Sequence, residues 1–153
     1  MGPWYRVFAR GDALPAPEAV LAHLAGLGIT ATGTFDGGAG DWLQAELVLG
    51  DGGPVHVERF LAGEEGIRAE LNAWAAFLEA CDYSPNAGPL MERTIQSRQL
   101  FTIRRPADHA DEVRLERACV GLCRLLASAA DGFYQADGEG FFDADGALLV
   151  QEH

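Results

Sequence analysis

The sequence predicts an α+β fold in which antiparallel strands carry helices packed on one face. Three observations support this. Apolar residues recur at helical spacing over long stretches, they alternate at strand spacing over short ones, and clusters of Gly, Asp, Asn and Pro separate the two kinds of segment. With 153 residues and 48% hydrophobic content, the chain has the size of one domain, 1–153, able to bury roughly two thirds of its unfolded surface.

Trp4 to Arg10 reads as the first strand, with Trp4, Arg6, Phe8 and Arg10 on one side and Tyr5, Val7 and Ala9 on the other. A turn from Gly11 to Pro17 leads into a helix: Pro17 suits its first position, Glu18 its positive end, and Val20, Leu24 and Leu27 form its apolar stripe beside Leu21. Gly28 followed by Ile29 predicts a left-handed cap with its hydrophobic contact. His23, inside this helix, reads as a packing or surface residue. Thr30, Thr32 and Thr34 alternate with Ala31, Gly33 and Phe35 as a second strand. A third runs from Trp42 to Leu49, with Leu43, Ala45, Leu47 and Leu49 facing the core and Gln44 and Glu46 facing out. Gly50 to Pro54 turns the chain into a fourth, Val55 to Leu61, on which His56 and Glu58 share a face.

Glu64 to Cys81 is the second helix, striped by Ile67, Leu71, Trp74, Leu78 and Cys81. Ser84 to Pro89 is a loop by composition and Leu90 to Ile95 a short helical turn, so an irregular segment, 83–97, joins two halves, 1–82 and 98–153. Leu100 to Arg104 is a strand stopped by Pro106. Asp108 stands as the N-cap of a long helix whose first turn gains Asp111 and Glu112 and whose stripe is Leu115, Cys119, Leu122, Leu126 and Ala129. After Asp131-Gly132 the period returns to that of strands: Phe133 to Ala136, a two-residue glycine turn within 137–140, Phe141-Phe142, the turn Asp143 to Gly146, and a last strand, Ala147 to Val150.

The resulting order, β-α-β-β-β-α-β-α-β-β-β, repeats strand-helix-strand-strand in Trp4–Leu49 and Leu100–Val150. It resembles the ferredoxin-like arrangement of elements in two halves, which implies helices covering one face of an antiparallel sheet. Fold alone does not define function.

Charge narrows the classes of partner. The formal net charge is −12, from 23 acidic and 11 basic residues. Such a field repels nucleic acid and anionic membranes and attracts a basic protein surface. No apolar run reaches the ~20 residues of a membrane-spanning helix, and Met1 to Arg10 lacks the pattern of a signal peptide. Three cysteines point to reduced thiols in a cytoplasmic protein. Every basic residue is arginine, which removes Schiff-base and Walker-lysine chemistry.

Motifs for catalysis or cofactors fall short of the chemistry they would need. The glycine-rich run Asp36 to Asp41 opens no helix and is flanked by carboxylates, so it reads as a hairpin loop and not as a phosphate cradle. His56 and Glu58 lack a third group to orient them for acid–base work. Ser84, Ser97 and Ser128 sit in no nucleophile motif. Cys119 and Cys123 are two of the four ligands that a closed zinc site requires, and they fall on or beside an apolar stripe. Asp143, Asp145, Gly146, Leu148 and Glu152 match later positions of a calcium loop, but Phe141 takes the place of its first aspartate. No catalytic residue, metal or cofactor is expected.

One interruption of the acidity stands out: Arg93, Arg98, Arg104 and Arg105 occur with no acidic residue among positions 93–105. Arginine forks bind carboxylates and phosphates, so these four form the candidate ligand-binding set. Two functions follow. The favoured one is a non-catalytic cytoplasmic module whose acidic surface binds a basic protein, as immunity or inhibitor proteins do. The alternative is a protein that binds or acts on a small anionic ligand near segment 93–105.

Overall fold

The computed structural model describes residues 3–38, 40–50 and 52–152; Met1, Gly2, Ala39, Asp51 and His153, and what the sequence predicts for them, lie outside the described residues. In chain order the elements are β1 (Trp4–Ala9), α1 (Pro17–Gly26), β2 (Thr32–Asp36), β3 (Gln44–Val48), β4 (Val55–Leu61), α2 (Ile67–Glu79), α3 (Ala87–Ile95), β5 (Gln99–Arg104), α4 (Glu112–Ala129), β6 (Gly132–Ala136), β7 (Gly140–Phe142) and β8 (Leu148–Gln151). The strands form one eight-stranded sheet in the order β2-β3-β4-β5-β1-β6-β7-β8, with every pairing antiparallel. The α+β class is therefore as expected. The ferredoxin-like arrangement is not confirmed by this strand order. One local feature of it is present: β5 and β6 flank β1, and α4 crosses between them.

The helices do not share one face, which corrects the single-face arrangement. On β1, Tyr5, Val7 and Ala9 join the core packed by α1 and α4, whereas Phe8 joins a second core packed by α2 and α3. Successive side chains of a strand point to opposite faces, so the sheet is sandwiched between two helical layers. The second layer depends on α3, which occupies most of the segment read as irregular. Pro89 lies in its first turn, where a missing N–H costs nothing. Composition alone made that turn look like a loop.

Several ends behave as the residues dictate. At the end of α1, Gly28 has φ of 80°, Ile29 N–H bonds Leu24 O at 2.9 Å and Gly28 N–H bonds Ala25 O at 2.9 Å, with Ile29 and Leu24 both buried. Helix α4 begins later than expected. Asp111, not Asp108, is its N-cap and accepts from Arg114 N–H at 3.0 Å, because residues 106–110 are drawn aside to pack His109 and Asp108 against Gly52 and Gly53. The β6–β7 turn has three residues, 137–139, and not two, with Ala136 paired to Gly140. At Gly140 (φ 143°) a Cβ would stand 2.2 Å from Val150 O, so the β7–β8 pair needs glycine there.

Entry into β3 departs from simple alternation. Asp36 pairs with Gln44 and also accepts from Leu43 N–H at 2.8 Å, so two residues stand opposite one. This bulge turns Leu43 outward, 43% exposed, and turns Trp42 into the core, where its Nε1 donates to Pro15 O at 2.9 Å.

Candidate functional site

The cross-strand registers assemble one polar surface from alternate residues of six strands. One row reads Thr34, Glu46, His56, Arg104, Trp4; the next reads Asp36, Gln44, Glu58, Thr102, Arg6, Gln135. A third row, Phe60, Leu100, Phe8 and Phe133, is apolar and belongs to the core under α2 and α3. The helices thus cover one end of this face and leave the β2–β3–β4 part open.

The open part is acidic. Asp36 and Glu46 are exposed, and Glu58 and His56 are half-buried. Thr34, Asp36, Gln44, Glu46, His56 and Glu58 line a depression of about 250 Å³. His56 Nδ1 lies 3.6 Å from Glu46 Oε1; among the described residues neither Asp36 nor Glu58 forms an ion pair. Towards β1 the face changes character. The Arg104 guanidinium sits 5.7 Å from the centroid of Trp4, and Arg6 bonds Asp137 at 2.6 Å and Gln135 at 2.8 Å while lying 4.8 Å from the Trp74 ring. Three unneutralised or half-neutralised carboxylates in a shallow hollow suit a guanidinium or ammonium group. A depression this small and open does not enclose a metabolite, for which pockets of about 300–1,000 Å³ are usual.

The four arginines singled out in the sequence are not brought together. Arg93 on α3 lies over the Phe133 ring at 5.1 Å, with its pKa lowered by burial and by Arg10. Arg98, exposed, pairs with Asp12 at 2.7 Å. Arg104 and Arg105 stand at the other end of β5 and point to opposite faces: Arg104 to Trp4, Arg105 to Tyr5 Oη at 3.3 Å and to the Glu112 carboxylate. The hollow beside Arg105, about 480 Å³, is also lined by Glu112 and Glu116, which oppose an anion. Trp42 and Tyr134 are buried at 1% and 3%, so neither offers an open ring to a ligand.

The remaining candidates are settled into structure. Cys119 and Cys123 are fully buried in the α1–α4 core and unpaired, and burial pushes the Cys119 thiol up to about 12. In the 143–146 turn the Asp143 carboxylate accepts from Asp145 and Ala147 N–H, and that of Asp145 accepts from Ala147 N–H, so both close the turn's own backbone. Among the described residues no group of three or more His, Cys, Asp or Glu side chains is arranged to hold a metal ion, and no helix is long and apolar enough to cross a membrane. The sequence reads Asp36 as a loop residue, and only the pairing of Asp36 with Gln44, and of Gln44 with Glu58, places it in one row with Glu58. Arg59 carried a legible signal, an arginine on the core-facing side of β4 next to Val55 and Val57. Compared with protein families, curated proteins and solved structures, the chain matches none.

Proposed function

We propose that this protein is a non-catalytic binding module of the cytoplasm, which holds a basic protein surface on the open acidic part of its sheet. The observation that carries this is the grouping of Asp36, Glu46 and Glu58 on the helix-free part of a sheet face, with His56 the only basic side chain among the described residues that line the hollow. The net charge of −12 adds long-range attraction for a cationic partner. Three free, buried cysteines agree with a reducing compartment. The alternative, a small anionic ligand at Arg93, Arg98, Arg104 and Arg105, has less support because those side chains stand at two ends of β5 and on different faces.

The test is titration of a short oligoarginine peptide at low salt. Neutralising Asp36→Asn, Glu46→Gln and Glu58→Gln together removes three contacts worth ~0.2–1 kcal/mol each and weakens binding about tenfold. Neutralising Glu18, Glu79 and Glu92, exposed carboxylates on the helices, leaves affinity near that of the wild type. Equal losses in the two variants would mean that net charge alone attracts the peptide, and the proposal would fail.

A further inference from the structure

The two edges of the sheet are treated differently. At β8 the edge carbonyls are occupied: Tyr83 Oη donates to Gln151 O at 2.6 Å, and Ser84 Oγ and Asn86 Nδ2 donate to Leu149 O at 3.2 and 2.9 Å. At β2, among the described residues, the hydrogen bonds of Thr32–Asp36 run to β3 and its entry, and none reaches the outer edge. Along Thr32–Asp36 this edge carries no lysine or proline, and its one charge, Asp36, stands at the end where the bulge lies.

The hydrogen-bond phase shows which groups are free. Arg59 N–H bonds Leu43 O at 2.8 Å, which turns the odd positions of β3 towards β4 and the even ones towards β2. Gln44, Glu46 and Val48 therefore exchange bonds with Asp36, Thr34 and Thr32. The N–H and C=O groups of Gly33 and Phe35 are left directed off the sheet. Side chains alternate in step with this. Thr32, Thr34 and Asp36 lie on the acidic face, while Gly33 and Phe35 lie on the α1 side, where Phe35 packs near the core and Leu21 approaches Gly33.

We infer that the partner adds to β2 as a ninth strand, an extended segment of alternating basic and apolar residues. Its basic side chains fall beside Thr34 and Asp36 on the open face and extend across Thr34 towards Glu46, its apolar ones fall beside Phe35 and Leu21, and its backbone pairs with Gly33 and Phe35. This rests on the acidic-face proposal and adds the conformation of the occupant. A second copy of the chain is the competing occupant of the same edge, and a charge of −12 on each copy disfavours it.

The experiment compares a short peptide of alternating arginine and valine with its fully N-methylated analogue, which keeps the charges and loses every backbone donor. Affinity is read by fluorescence anisotropy and the Gly33 and Phe35 amides by hydrogen exchange. The expected result is at least about tenfold weaker binding of the analogue, from loss of the strand's backbone bonds, with both amides slowed only by the unmethylated peptide. Equal binding of the two peptides, abolished by Asp36→Asn with Glu46→Gln and Glu58→Gln, would overturn strand addition and leave the acidic face standing. Binding unchanged by those substitutions, or no binding to the wild type, would overturn both. Self-association of the protein alone with Gly33 and Phe35 already protected would assign the edge to a second copy and overturn the inference.

Discussion

Gln99 offers a sharp test of what holds this sheet to its loops. Its side chain is 1% exposed, donates to Gly11 O at 2.8 Å and Ala13 O at 3.0 Å, and accepts from Arg59 Nε at 2.7 Å. Arg59, itself 9% exposed, extends the network to Asp41 Oδ1 at 3.3 Å. Gln99→Ala removes the donor of two carbonyls, on half-buried Gly11 and exposed Ala13, and strands one charged N–H. Two neutral bonds at ~1 kcal/mol and one to a charged group at ~2 kcal/mol total about 4 kcal/mol. Water entering the vacated polar space restores part of this, leaving a loss of about 3 kcal/mol. A domain of this size then melts about 6–12 °C lower. Urea denaturation should show a lower midpoint at unchanged slope. In a double-mutant cycle with Arg59→Met, the two changes should couple by about 1.5 kcal/mol or more. A loss below ~1 kcal/mol, or additivity within ~0.5 kcal/mol, would refute the network as a stabilising unit.

Three further outcomes can be checked on the folded protein. Asp111→Ala should cost about 1 kcal/mol through loss of the α4 cap, and Asp108→Ala, measured in the same melts, should cost clearly less. Arg105, whose side chain is 9% exposed and bonded to Tyr5 and Glu112, should lose about 2 kcal/mol on replacement by alanine, whereas Arg104→Ala should change stability by no more than ~1 kcal/mol. Burial raises the thiol pKa of Cys119 to about 12 and that of Cys123 well above the ordinary 9.0, and raises the Tyr134 hydroxyl to about 12. Groups kept protonated by the fold stabilise it fully below their unfolded pKa and lose that contribution as pH rises towards the folded value. Stability measured by denaturation should therefore be level near neutral pH and fall above about pH 9, by up to ~1.4 kcal/mol per pH unit for each such group. Cys119→Ala with Cys123→Ala should flatten the first part of that decline.

Local chemistry determined much of this protein. The stripes of α1, α2 and α4, the Gly28-Ile29 cap and the alternation of β1 and β4 are set by residues within a few positions of one another, where side-chain periodicity and backbone preference act directly. The acidic balance and the absence of lysine are likewise properties of the chain. Tertiary structure decided the rest. Whether helices share a sheet face depends on which strand receives each stripe, and the insertion of β1 between β5 and β6 joins residues about a hundred positions apart. Pro89 looked like a loop residue until the first turn of α3 formed around it, and Asp108 lost the cap to Asp111 because its loop is pulled onto Gly52 and Gly53. The acidic face follows the same logic. Asp36, Glu46 and Glu58 come from three strands, and strand register is what brings them to one face. The arginines close in sequence were separated by that register, since a strand sends neighbouring side chains to opposite faces and carries its two ends apart.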